Sequence, residues 1–144
     1  GHHGACVLGS EVLINYLINF ARPFIYTTAL PDTVITSIDC AWKYIKDHPQ
    51  LAAKLKENIE LYRELIGNQM AGVNVHSPIQ RIPVKGNKQA QLFSDILRKQ
   101  GFDIRPILSP TVKTGEERLR VSLHSFNTAK QIESLSEVIA NQLK

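Results

Sequence analysis

The chemistry most legible in this chain lies in residues 109–124, read S-P-T-V-K-T-G-E-E-R-L-R-V-S-L-H. A hydroxyl-rich turn, Ser109-Pro110-Thr111 through Thr114-Gly115, runs into the alternating stretch Arg118-Leu119-Arg120-Val121-Ser122-Leu123. Alternation sends Leu119, Val121 and Leu123 to one face of a strand and Arg118, Arg120 and Ser122 to the other. If the apolar face packs on helices, Arg120 stands on the opposite face beside the loop. A planar guanidinium there can hold a small carboxylate through two parallel hydrogen bonds, with Thr111 adding a third contact. The same spacing also fits a plain arginine pair on a solvated sheet face, ion-paired to Glu116 or Glu117, and exposed pairs of that kind contribute little. Spacing alone leaves both readings open.

The rest of the chain narrows the setting. Its 144 residues can bury one core, or one small domain with part of another. A hydrophobic content of 43% and a charged content of 21% are ordinary for a globular protein. The net charge of +4 is interleaved with acids, as in Lys54-Leu55-Lys56-Glu57, so no basic stripe points to nucleic acid. Cys6 and Cys40 sit in apolar patterns without metal-type spacing, which predicts buried, reduced thiols and a cytoplasmic setting. His2 and His3 cannot alone enclose an ion, so no metal site is expected. No apolar run reaches membrane-spanning length.

The elements that must position Arg120 and Thr111 can be read in order. Gly4-Ala5-Cys6-Val7-Leu8-Gly9 predicts a short buried strand, and Ser10 then caps a helix carrying Leu13, Tyr16, Leu17 and Phe20. Arg22-Pro23 ends it, and Phe24-Ile25-Tyr26-Thr27-Thr28 reads as extended. A helix enters at Pro31-Asp32, with Val34, Ile38, Ala41, Trp42 and Ile45 on a core face, and breaks near Pro49 before resuming with Leu55, Ile59, Tyr62 and Ile66. Short β-like pieces follow at Val73-Asn74-Val75 and from Ile79 to Val84, where the prolines suggest an edge strand. Asn87 is expected to cap a helix that stops at Gly101. Phe102-Asp103-Ile104-Arg105 is the next strand, and Thr128 with Gln131 forms a capping box for the last helix. The expected fold class is α+β: a mainly antiparallel sheet with helices on one face over residues 72–144. Residues 31–71 read as a long, bent pair of linking helices, and residues 1–30 as the remnant of a larger domain.

Three motifs in order, Gly4-Ala5-Cys6-Val7-Leu8-Gly9-Ser10, then Phe20-Ala21-Arg22-Pro23-Phe24-Ile25-Tyr26-Thr27-Thr28-Ala29-Leu30-Pro31, then Pro110-Thr111-Val112 with Gly115-x-x-Arg118-Leu119-Arg120, resemble the α-oxoamine synthases. These are pyridoxal-phosphate enzymes of the aspartate-aminotransferase fold. The resemblance runs from about Gly4 to the C-terminus and covers the C-terminal part of such an enzyme. It implies a fold-type I small domain and a decarboxylative condensation of an amino acid with an acyl thioester, for which the cofactor acts as electron sink. Arg120 matches the arginine that grips the amino-acid carboxylate, and Thr111 a substrate-contacting threonine. Thr27 and Thr28 match hydroxyls that reach the cofactor phosphate of the neighbouring subunit, which implies a homodimer. The family's Schiff-base lysine would align three residues before Gly1. The chain by itself is therefore expected to hold no catalytic residue, to bind no cofactor and to be inactive.

Tyr26-Thr27-Thr28-Ala29-Leu30-Pro31 and Leu123-His124-Ser125-Phe126 favour the branch that joins L-alanine to a pimeloyl thioester in biotin synthesis. The branches that use glycine with acetyl-CoA or serine with palmitoyl-CoA are the alternatives within the family. The expected partners are thus small-molecule substrates, with no nucleic acid and no membrane. A reading of another class is a non-catalytic α+β module acting through protein contacts. Lys113, where the family often has proline, and Asp32, where it often has a second proline, depart from the pattern without touching a matched role.

Overall fold

A computed structural model describes residues 5–66 and 76–143, and Val73-Asn74-Val75 lies outside them. The chain divides into two compact units, Gly1–Pro49 and Gln50–Lys144.

The first unit is helical. Helix α1 (Glu11–Phe20) starts where Ser10 accepts the Leu13 N–H at 3.3 Å, as the sequence predicts. Ala21 closes it, and the chain re-enters a single helical turn, α2 (Arg22–Ile25), with Pro23 in its first turn. The extended segment expected from Phe24 therefore begins later: Pro23 has no N–H to lose at a helix start, so it initiates a turn as readily as it ends one. Helix α3 (Asp32–Asp47) follows from Pro31 and ends at His48, whose ring Nδ1 donates to the Tyr44 carbonyl at 2.8 Å.

None of these three helices buries a side chain. Three expectations are corrected here. Residues 5–9 form no strand and are exposed, Cys6 and Cys40 are exposed thiols, and Trp42 is 62% exposed. Periodicity marks an apolar face but does not supply what covers it. Ala5, Leu8, Leu30, Ile38 and Trp42 do converge on one shallow apolar groove.

The second unit holds the core. Helix α4 (Pro49–Ile66) begins after the break at His48, and strand β1 (Ile79–Pro83) is followed by helix α5 (Asn87–Lys99). Strands β2 (Arg105–Ile107) and β3 (Arg118–Ser122) and helix α6 (Ala129–Leu143) complete it. Among the described residues the sheet is antiparallel in the order β1-β3-β2, so Pro83 ends an edge strand and β3 is central. Leu119, Val121 and Leu123 face inward against Tyr62 of α4, Leu97 of α5 and Ile139 of α6. Burying each such side chain contributes about 1.5–3 kcal/mol. Helix α4 thus belongs to this core, and the unit begins well before residue 72.

The helix ends follow local chemistry. Gly101 takes φ 89° just past α5, and Thr128 and Gln131 exchange hydrogen bonds of 3.0 and 3.3 Å at the start of α6. Asn58, 1% exposed, donates from Nδ2 to the carbonyls of His124 and Asn127, each at 2.9 Å, tying α4 to the turn before α6. Strand β2 starts at Arg105, later than Phe102, because Ile104 is drawn inward and its carbonyl accepts from the buried Ser94 hydroxyl at 2.6 Å. Among the described residues no helix is long and apolar enough to cross a membrane.

Tyr62 is fully buried, and among the described residues its hydroxyl has no partner. Burial also pushes its ionisation well above the usual phenol range. Tyr62→Phe is expected to stabilise the protein by about 1 kcal/mol, because it removes a desolvated hydroxyl and leaves the ring in place. A higher urea midpoint would bear this out, and a lower one would show that the hydroxyl has a partner.

Candidate functional site

The loop between β2 and β3 is short of secondary structure but is fastened at both ends. Asn87, the first residue of α5, does not cap its helix; Gly86 occupies the cap position. The Asn87 side chain instead clasps the loop: its Oδ1 accepts from the Ser109 N–H at 2.9 Å and its Nδ2 donates to the Ser109 carbonyl at 3.1 Å. An amide side chain can do this because it carries donor and acceptor side by side, as a neighbouring strand would.

At the other end Glu117, 2% exposed, turns inward. Its Oε2 accepts from the Gly86 N–H at 3.0 Å and the Gly115 N–H at 2.9 Å. Both glycines sit at φ 90°, the left-handed region where a side chain is strained, and that backbone turn aims their N–H groups at one oxygen. The Gly86 N–H, then Glu117's own, then that of Gly115 hold the carboxyl below the usual carboxylate range, against an opposing contribution from burial. The sequence reading offered Glu117 as a partner for an arginine. The structure uses it as a latch between the β1–α5 turn and the loop.

Arg118 takes the ion-pair role. It is half-buried, donates from Nε to the Glu116 carbonyl at 3.1 Å and approaches the Glu116 carboxylate at 3.9 Å. Arg120 stands on the open face of β3, exposed, while its neighbours Leu119 and Val121 are buried. Thr111 is exposed just after the cis Ser109–Pro110 peptide, in the loop that enters β3. Beside Arg120 a cleft of about 420 Å³ opens between Arg105, Ser122, His124 and Gln131. Thr111 is not among the residues that line this cleft; the Arg120 fork and a cleft of this size suit a small carboxylate.

Thr27 and Thr28 belong to the other unit, in the non-helical stretch after α2, and both are exposed. Among the described residues, no hydrogen bond engages the hydroxyls of Thr27, Thr28 and Thr111 or the Arg120 guanidinium. Two residues that organise the site were missed from sequence, Asn87 and Glu117. For Glu117 a signal was present: position 117 has the same parity as Leu119, Val121 and Leu123, so strand alternation points it inward.

The chain resembles known proteins along nearly its whole length. The family described as Aminotransferase class I and II matches residues 1–139. The 8-amino-7-oxononanoate synthase of Methylococcus capsulatus is 34% identical over 142 residues, covering 98% of this chain and 37% of the relative. The enzyme of the same name from Hydrogenovibrio crunogenus is 36% identical over 143 residues, covering 97% of this chain and 36% of the relative. Among solved structures, the 8-amino-7-oxononanoate synthase of Francisella tularensis superposes with a TM-score of 0.72 at 31% identity, covering 92% of this chain and 39% of that one. Serine palmitoyltransferase of Sphingomonas wittichii shares the fold, with a TM-score of 0.71 at 18% identity over 91% of this chain and 34% of that one. The chain spans little more than a third of the length of the curated relatives it matches.

The Glu117 latch makes loop stability depend on pH. Because its folded-state ionisation lies below the unfolded value, its stabilisation is present above about pH 4.3 and is lost as pH falls through the folded value. Glu117→Gln is expected to lower Tm at pH 7, with the gap from wild type closing on acidification below about pH 4. A gap independent of pH would mean that the charge is not what holds the loop.

Proposed function

The chain belongs to the aminotransferase class I and II family, and from that membership we propose that it is part of a pyridoxal-phosphate-dependent C-acyltransferase. The reaction is the condensation of L-alanine with pimeloyl-CoA, or a pimeloyl carrier protein, to 8-amino-7-oxononanoate and carbon dioxide, with release of CoA or of the carrier's thiol. The observation that carries the reading is Arg120, an exposed guanidinium on the open face of β3 beside a cleft, in a chain whose curated relatives carry that enzyme's name at 34–36% identity.

In this reading Arg120 binds the amino-acid carboxylate through its fork, and the Thr111 hydroxyl donates a further hydrogen bond. Gripping the carboxylate holds that group in one place, and with the amino nitrogen held as well this would fix the rotation about the Cα–N bond and so the direction of the Cα–H bond, a positioning contribution. The Asn87 clasp and the Glu117 latch keep Thr111 from wandering, so less freedom is lost when substrate arrives. Pyridoxal phosphate, when bound, supplies the electron sink that stabilises the carbanion formed at Cα. Thr27 and Thr28 fit its phosphate, being adjacent, exposed and free to donate. They would serve the neighbouring subunit of a homodimer. No residue of this chain is assigned the proton transfer.

Arg120→Gln in the whole protein is expected to lower kcat/KM for L-alanine roughly a hundredfold or more. Arg120→Lys should recover only part of the loss, since an ammonium cannot present the fork. Unchanged activity in Arg120→Gln would sink the carboxylate assignment. A preference for glycine or serine over alanine would move the protein to another branch of the family.

A further inference from the structure

We propose that Arg81 and Arg120 together form a two-point anion site on the open face of the sheet, made for a ligand pair that presents two carboxylates. The argument starts from register. Across the sheet Arg81 of β1 is the Cα partner of Arg120 of β3, which in turn is the partner of Arg105 of β2. Directly opposed residues in antiparallel strands send their side chains to the same face. With strands about 4.8 Å apart, the three guanidinium stems stand in one row about 10 Å long. All three are exposed.

Such a row costs stability, because like charges directly opposite one another on a sheet repel. Arg105 is relieved by Asp103 at 3.5 Å. Arg81 and Arg120 have no carboxylate partner among the described residues. Nor does packing account for Arg81: its neighbours Gln80 and Ile82 turn inward and are buried, while Arg81 lies outside. Arg81 lines a cleft of about 290 Å³ with Lys85 and Arg118. The acids there are already engaged, Glu116 by Arg118 and Glu117 by two backbone N–H groups. A cationic band therefore links this cleft to the one beside Arg120, and both ends can fork a carboxylate.

The inference rests on the reading of Arg120 as the amino-acid carboxylate grip. It adds that the acyl partner arriving beside the amino acid carries a carboxylate of its own, held by Arg81. Arg81 then selects a carboxylate-ended acyl group over a plain fatty one.

The test is titration of the chain with glutarate and with butyrate, following arginine Nε–H resonances. Glutarate should bind roughly tenfold tighter than butyrate, because its second carboxylate is delivered at high effective concentration. Arg81→Gln should erase that advantage, bringing glutarate down to the affinity of butyrate, and Arg120→Gln should weaken both. Arg81→Lys should fall between, since charge is kept and the fork is lost. Glutarate binding no tighter than butyrate, or an advantage that survives in Arg81→Gln, would overturn the proposal while leaving Arg120 intact. Butyrate binding untouched by Arg120→Gln, or no binding of either acid, would overturn it together with the reading it rests on. Inorganic phosphate binding as tightly as glutarate, and weakened in Arg81→Gln, would overturn the choice of carboxylate.

Discussion

Strand β3 is hydrogen-bonded on both sides, and that places two constraints on it at once. Its inward residues must satisfy a core built from three helices, and its register must satisfy two neighbouring strands. A slip of one residue would drive Arg118 and Arg120 into the core and Leu119 and Val121 into water, at a cost no local adjustment could offset. The direction of Arg120 is therefore set by leucine and valine, not by anything Arg120 itself touches. Its aim is thus fixed while its fork stays free.

The loop that enters β3 is governed differently. It has little apolar content to bury, so its order comes from polar groups with two or more partners. Asn87 and Glu117 each bind backbone on segments far apart in sequence, and both grip the region next to Gly86. One turn after β1 thus holds both ends of the loop. Few groups are used, but each is either doubly bonded or charged, which is where hydrogen bonds are strongest.

The parts of the fold legible in sequence were those governed by a repeating pattern with both sides present. Alternation gave the inner and outer faces of β3, and the capping pair Thr128 and Gln131 gave the start of α6. The outward placement of Arg120 was legible because it sits inside such a pattern. Asn87 was misread because asparagine before a helix is a common cap, and nothing local says that its side chain will reach Ser109 instead. Trp42 and the cysteines were misplaced for another reason. Helical periodicity reports that a face is apolar, and burial then needs a second surface that the pattern does not name.

The row of arginines has a consequence for ionic strength. Surface ion pairs weaken as salt is added, but a row of like charges is relieved by it, because counter-ions screen the repulsion within a Debye length of about 10 Å at 0.1 M. The sheet should therefore be held slightly better in moderate salt than in dilute buffer. The same screening weakens the pull on an arriving anion. At the proposed anion site, fold stability and ligand affinity would thus be driven in opposite directions by one variable, and a docked carboxylate would release the electrostatic repulsion stored across β1, β3 and β2.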